Sequence, residues 1–291
     1  MNTWAFYANL ALNGLVEGLL IGLAALALNL VFAVGRFPNA ATGDFMTVGA
    51  YAGFGAHYLG GNIVVQSGAA MLAGAAVGLL SYFAVFRKLA GRPMVAALLA
   101  SIGLGFVYRS VVSLFAGHDP RFFPMGTVSA INIGGVRIRD TDVWLAGIAL
   151  LCMAVALAVL HLTPVGRQMR AVADNAVLAQ ASGIRSRRVM FALWAMAGMI
   201  TGVAGLMLGI RTAVSPELGW GMLLPAFAAA VVGGVGSPAG AILGGVMLGI
   251  AQELSTPWLG FSYKIALSFV ALAVMLLVRP QGLFGQKEAV R

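Results

Sequence analysis

Apolar residues run along this chain in blocks too long and too uniform for a soluble core. Six of them, at residues 9–34, 64–86, 94–116, 143–162, 189–210 and 263–278, are lipid-like. A helix needs roughly 20 apolar residues to cross the hydrocarbon of a bilayer. Two further blocks, 44–59 and 222–254, are apolar but shorter or broken by glycine and proline. Counting the first as one passage and the second as two gives nine, and re-entrant pairs would keep the same parity. The alternating strands of an outer-membrane barrel are absent. The pattern therefore predicts an all-α integral membrane protein, a polytopic helical bundle of about 8–9 membrane segments, some short or broken, forming a single transmembrane domain.

Polar punctuation refines this picture. Glycines recur four apart inside the blocks: Gly14/Gly18/Gly22, Gly49/Gly53, Gly74/Gly78, Gly198/Gly202, Gly205/Gly209, Gly236/Gly240/Gly244 and Gly245/Gly249. Such ridges let helix backbones approach closely in lipid, and packing within the bundle is their expected use. Two places break the apolar run, GRFPNAATG at 35–43 and VGGVGSPA at 232–239. Each reads either as non-helical backbone at membrane depth or as a tight turn between short antiparallel helices, with the turn favoured. Between the fourth and fifth long blocks lies a polar, cationic segment at 166–188, GRQMRAVADNAVLAQASGIRSRR. Met169, Val172, Ala173, Ala176 and Ala179 recur there at helical steps, Arg170 and Asp174 stand four apart, and Gly183 is placed to end the helix. A passive reversal needs only a handful of residues. This segment has the character of a docking surface for a cytoplasmic partner. On the other side, INIGGVRI (131–138) alternates around Gly134-Gly135 and predicts a small hairpin.

Composition agrees: the chain is 60% hydrophobic and 9% charged, with a mean hydropathy of +0.94, against about a quarter charged residues in soluble domains. The net charge of +9 does not indicate nucleic-acid binding, because the basic residues sit at the ends of apolar blocks, where the positive-inside rule acts. No Lys or Arg precedes Arg36. The N-terminus is thus expected outside and the C-terminus inside. Arg36, Arg87, Lys88, Arg92, the five arginines of 166–188, Arg279, Lys287 and Arg291 then fall inside. Arg121, Arg137, Arg139, Arg211 and Lys264 fall outside, and Arg109 lies within a span. The first apolar block, lacking a basic n-region and a small-residue cleavage site, is expected to be a retained span. Cys152, the one cysteine, is expected to pack as a small hydrophobe.

Three collinear stretches together resemble a known family. They are LALNLVFAVGRFPNAATGDFMTVGAYAGF (26–54), the 166–184 segment, and AAAVVGGVGSPAGAILGGVMLGIAQEL (228–254) with RPQGLFG (279–285). They look like the branched-chain amino acid ABC importer permeases of the LivH type over essentially the whole chain. Within the polar segment Gly166, Arg170, Ala171, Asn175, Ala179 and Gly183 match the family's pattern, which implies an ATPase-coupling loop that also takes in Arg167 and Asp174. After the first span the family reads I-N-F-A-H-G-[DE]-F. Here Asn39, Gly43, Asp44 and Phe45 fit, while Thr42 stands at the histidine position and Pro38 intrudes. The resemblance implies a homologous second permease subunit, two ATP-binding subunits and a periplasmic substrate-binding protein, all at a bacterial inner membrane. The expected cargo is a small amino acid or a related organic acid or amide.

The residues carry no catalytic signature. His57, His118 and His161 lie apart without metal-ligand spacing, and no carboxylate pair or Ser-centred glycine motif stands out. A Gly-rich Lys-Ser/Thr phosphate loop is also missing. The chain is therefore expected to be no enzyme, to bind no cofactor, and to rely on partner subunits for ATP hydrolysis. Intramembrane ionisable groups are the remaining site candidates. Glu17 reads either as a lining of the pathway or as a structural partner to a helix terminus or buried arginine, the latter favoured. A Glu17–Arg109 pair is expected on that basis. Asp44 begins a helix, where its carboxylate complements the N-terminal dipole. Asn39 belongs to the same break, and Glu253 is expected to be solvated at a span end. The rival from another class is a stand-alone secondary transporter or channel, which would need polar ion ligands converging from both breaks.

Overall fold

The computed structural model describes residues 3–124, 130–133 and 136–285. It is helical, as the apolar blocks require. The chain order is α1 (Thr3–Gly35), α2 (Thr42–Tyr58), α3 (Ile63–Ser81), α4 (Met94–Ala116), the strands β1 (Ala130–Ile133) and β2 (Val136–Arg139), α5 (Asp140–Leu162), α6 (Pro164–Asp174), α7 (Ala176–Ala181), α8 (Ser186–Arg211), α9 (Leu218–Gly233), α10 (Pro238–Leu259) and α11 (Lys264–Val278). Among the described residues, seven helices are long and apolar enough to cross a membrane. Among the described residues the shorter α9 is apolar as well, and α2 is a 17-residue, largely buried helix. The chain is thus a multi-pass helical membrane protein.

Two compact units share the chain: Met1–Leu26, Pro124–Met153 and Leu224–Arg291 form one, and Ala27–Phe123 with Ala154–Leu223 the other. In the first unit, α1 and α10 meet along glycines. A Cβ on Gly18 would lie 2.7 Å from the Val246 Cα, and one on Gly249 would lie 2.3 Å from the Gly18 Cα. No side chain fits in such a contact, so the four-residue glycine step is what allows it. The break at 232–239 is a tight turn. Gly234 and Gly236 take φ of +109° and +86°, and the Ser237 side chain accepts from the Gly240 N–H to start α10. Leu283 and Phe284 then donate to the carbonyls of Val232 and Gly233, closing the end of α9. The strands pair antiparallel with Ile131 opposite Ile138, as the alternation predicts, although Gly134 and Gly135 lie outside the described residues. Asn9 accepts from the Arg137 N–H and ties the hairpin to α1. Lys287 and Arg291, expected inside, also lie outside the described residues.

In the second unit α8 is the central post. Its Gly198 and Gly202 press on α3 at Ala70 and Gly74, while Gly202 and Gly205 press on α2 at Gly49 and Met46. A Cβ on Gly205 would fall 1.8 Å from the Met46 carbonyl oxygen. At its C-terminal end α3 widens into a π-helical turn, Tyr82–Phe86. That turn brings Phe86 onto Trp194 of α8, with ring centroids 4.6 Å apart, and Phe37 stacks on Phe86 at 5.1 Å.

The break at 35–43 differs from the favoured turn. Helix α4 is 23 residues long, so it rises roughly 34 Å. The Ala40 N–H donates to Ser101 Oγ at 3.0 Å, and Asp44 reaches Gly105. Ser101 and Gly105 lie about 10 and 16 Å along α4 from Met94. The connector therefore ends midway along a full-length span, and α2 starts there. Its backbone is satisfied by protein: Asn39 Oδ1 accepts from the Ala41 N–H, and Thr42 Oγ1 donates to the Asn39 carbonyl. That is the condition under which irregular backbone is tolerated at such depth. Gly219, in the first turn of α9, joins the same level, its N–H bonded to Thr47 Oγ1 at 3.1 Å.

Candidate functional sites

The polar segment 166–188 folds as two short helices rather than the single one its periodicity predicts. Thr163 caps α6 by accepting from the Gly166 N–H, and Pro164 takes the first turn, where a missing N–H costs nothing. Gly166 is required by contact, because a Cβ there would lie 2.1 Å from the Leu160 carbonyl oxygen. Met169 and Val172 are buried, so the apolar stripe faces the bundle. Arg170 does not pair with Asp174. Its guanidinium reaches back to the Leu160 carbonyl and lies 3.4 Å from His161 Nδ1, because the last carbonyls of α5 lack helical partners and favour a cation. Arg36, at the end of α1, donates to the Ala173 carbonyl in the same way.

Asn175 is what divides the helices. It takes an extended conformation, and its Oδ1 accepts from the N–H groups of Val177 and Leu178 at 3.0 Å each. Such capping competes with continued helix. Ala179 is buried while Ala176 is exposed. Gly183 ends α7 at φ +85°, and Ile184 donates to the Ala179 carbonyl in the usual six-residue closure. The result is a tethered projection. Val177 and Leu178 stand in the first turn of α7, 79% and 65% exposed, and Arg167, Asp174, Arg185, Arg187 and Arg188 of the same segment are exposed as well.

The second site is the ion pair inside the second unit. Arg109 gives both Nε and Nη2 to Asp44 Oδ1, each at 3.1 Å, with side chains 16% and 1% exposed. Arg109 therefore takes Asp44, not Glu17, as its partner. The first turn of α2 lies against the α4 face formed by Gly105 and Arg109, one turn apart, and a helical arginine leans toward the N-terminus of its helix. Glu17 is half-buried on α1 with an interaction of its own. The Arg109 guanidinium also stacks over Trp220 and Phe106, 4.6 and 5.3 Å from the ring centroids. Asp44 Oδ2 and Asn39 Nδ2 are buried without a hydrogen bond.

On the C-terminal side of this pair, α4 and the segment before α9 enclose an open cavity of about 780 Å³, lined by Arg109, Ser113, His118, Ser215 and Glu217 among others. Sequence reasoning found Arg109 here but not Trp220 or Glu217. Aromatic or acidic residues just before an apolar block are common, and only the fold shows which span they face. Glu253, expected to be solvated at a span end, is instead buried and paired with Lys264 at 2.6 Å across the α10–α11 hairpin. In the second break the Ser237 side chain caps α10.

A bundle of apolar helices with a buried ion pair, an adjoining polar cavity and a structured polar segment defines a multi-pass membrane protein by class. The family described as branched-chain amino acid transport system / permease component matches residues 10–279, and the chain belongs to that family. It is 28% identical over 293 residues to the high-affinity branched-chain amino acid transport system permease protein LivH of Escherichia coli (strain K12), covering 95% of this chain and 94% of the relative. The probable branched-chain amino acid transport permease protein LivH of Methanocaldococcus jannaschii is 29% identical over 284 residues, covering 91% and 89%. The ribose import permease protein RbsC of Escherichia coli (strain K12) is 26% identical over 239 residues, covering 75% and 69%. Among solved structures, PsaBC from Streptococcus pneumoniae in complex with Fab aligns with a TM-score of 0.55 at 11% identity, covering 92% of this chain and 91% of that one. It shares the fold alone.

Proposed function

We propose that the chain is the membrane-spanning subunit of an ATP-driven importer for a small amino acid or a related compound, seated in a bacterial inner membrane with its N-terminus periplasmic and its C-terminus cytoplasmic. In this reading a homologous second permease completes the translocation path, two ATP-binding subunits engage the α6–α7 projection, and a periplasmic binding protein delivers the cargo. ATP is bound and hydrolysed by the partners. The observation that carries the proposal is the projection itself. Two large apolar side chains held out at a polar tip are costly in water and too few to insert in lipid, so they suit a protein partner. The tethers make the projection a lever rather than a loose loop. Met169 and Val172 key α6 into the bundle, Arg170 fixes it to the end of α5, and Arg36 fixes it to the connector that leads into α2. Motion of α6 is thereby conveyed to the start of α2 and to Asp44.

The test is a Val177→Glu/Leu178→Glu pair in the complete importer. Burying each side chain against a partner contributes about 1.5–3 kcal/mol, so ATPase binding should weaken by about 100-fold or more. Insertion and bundle stability should stay unchanged, because neither residue touches the core. ATPase subunits that co-purify at the parental level with undiminished uptake would refute the docking assignment.

A further inference from the structure

Resting on the importer reading, we propose that the cavity beside Arg109 is a transit site for a small zwitterionic amino acid and selects against the corresponding plain carboxylate. The argument begins with the charges on its wall. The Arg109 charge is already matched by Asp44, whose carboxylate takes Nε and Nη2, and this leaves Nη1 as an unused donor. Glu217 lines the same cavity with no ion pair among the described residues. The wall therefore carries the Glu217 carboxylate, the His118 ring, one guanidinium N–H edge outside the Asp44 pair, and the hydroxyls of Ser110, Ser113 and Ser215.

A ligand with an ammonium and a carboxylate satisfies both ends. Its ammonium meets Glu217, while its carboxylate accepts from Arg109 Nη1 and the serine hydroxyls in a charge-assisted contact. A plain carboxylate of the same size would still accept from Arg109 Nη1, but it would bring a net negative charge toward Glu217 and Asp44 with no ammonium to offset it, and such juxtapositions are how a site rejects a near-isostere. A plain amine would leave the guanidinium edge without an acceptor. The apolar side of the cavity, Leu114 and Pro216, suits a short aliphatic side chain. The volume exceeds that of one such amino acid, so the ligand passes with water around it and binds weakly, as a transit site must.

The test uses cells carrying the complete importer, depleted of ATP so that binding is read apart from uptake. Ser113→Cys in a Cys152→Ser background is labelled from outside with a membrane-impermeant thiol reagent. L-leucine, 4-methylpentanoate and 3-methylbutylamine are added in turn. A site with a Kd of about 1 mM would be ~90% filled at about 10 mM leucine, slowing labelling about tenfold. The acid and the amine should give less than about twofold each, and Glu217→Gln should abolish the difference between leucine and the acid. If Ser113→Cys does not fold, Ser110→Cys on the same helix gives the same readout. Equal protection by leucine and the acid, or protection by none of the three, overturns the assignment. ATP-driven leucine uptake and ATPase co-purification from the same cells separate the two readings. Intact uptake without protection removes only the cavity assignment, and protection without any bound ATPase removes only the importer reading.

Discussion

Asp44→Asn should destabilise the second unit less than Arg109→Gln, and the two together should cost less than their sum. Asp44 is 1% exposed and Arg109 16%, so each single change strands the other's charge where water reaches it poorly. Breaking a buried pair costs about 3–5 kcal/mol. Asparagine still offers Oδ1 to the guanidinium, which places Asp44→Asn near the lower end. Arg109→Gln also removes the stacking on Trp220 and Phe106, worth about 1–2 kcal/mol when desolvated. It further leaves a carboxylate whose Oδ2 has no hydrogen bond even in the parent. The double variant buries no charge, so its loss should fall about 2–3 kcal/mol short of the sum. Unfolding in mixed micelles by graded addition of a denaturing detergent, followed by tryptophan fluorescence, measures all four corners of the cycle. Trp220 and Trp194 are on the unit concerned. Strict additivity would refute the pair as an energetic unit, and a milder Arg109→Gln would refute the ordering argued from the aromatic contacts.

Other expectations follow from the packing and the polar segment. Gly205→Val forces a side chain into the Met46 carbonyl and should abolish folded yield, whereas Gly147→Ala, with open space around it, should leave yield on size-exclusion chromatography unchanged. In a Cys152→Ser background, cysteines at His118 and Arg187 should label from opposite sides of the membrane. Labelling from the same side would overturn the topology. Asn175→Ala removes the cap of α7 and should cost that helix about 1 kcal/mol. Faster amide hydrogen exchange at 176–181, with no change in α8, is the readout.

Much of this architecture is legible in the sequence because it is local. Apolar block length sets the spans, four-residue glycine spacing marks the contacts of α1 with α10 and of α8 with α2 and α3, and Gly183 marks the end of α7. What escaped is set by depth and by pairing across the fold. The position of residues 36–43 depends on where the connector meets α4, and its polar groups look the same in a surface turn. The partner of Arg109 likewise required knowing which helix lies against Gly105. The break at Asn175 was present as a capping residue, but the apolar period runs on through Ala176 and Ala179 and conceals it. For the polar segment, periodicity found its helical character, while the exposure of Val177 and Leu178 emerges only once Asn175 divides the helices.

The pairing of Asp44 with Arg109 also has a consequence for biosynthesis. The two residues are 65 positions apart, with all of α3 between them. At about 5–20 residues per second, the ribosome needs roughly 3–13 s to supply the arginine after the aspartate has been made. During that interval α2 is a short helix carrying an unmatched carboxylate, disfavoured at the membrane centre by about 2.5–3.5 kcal/mol. Its N-terminal turn is therefore expected to settle beside α4 only once α4 delivers the guanidinium, with α2, α3 and α4 entering the membrane together rather than helix by helix.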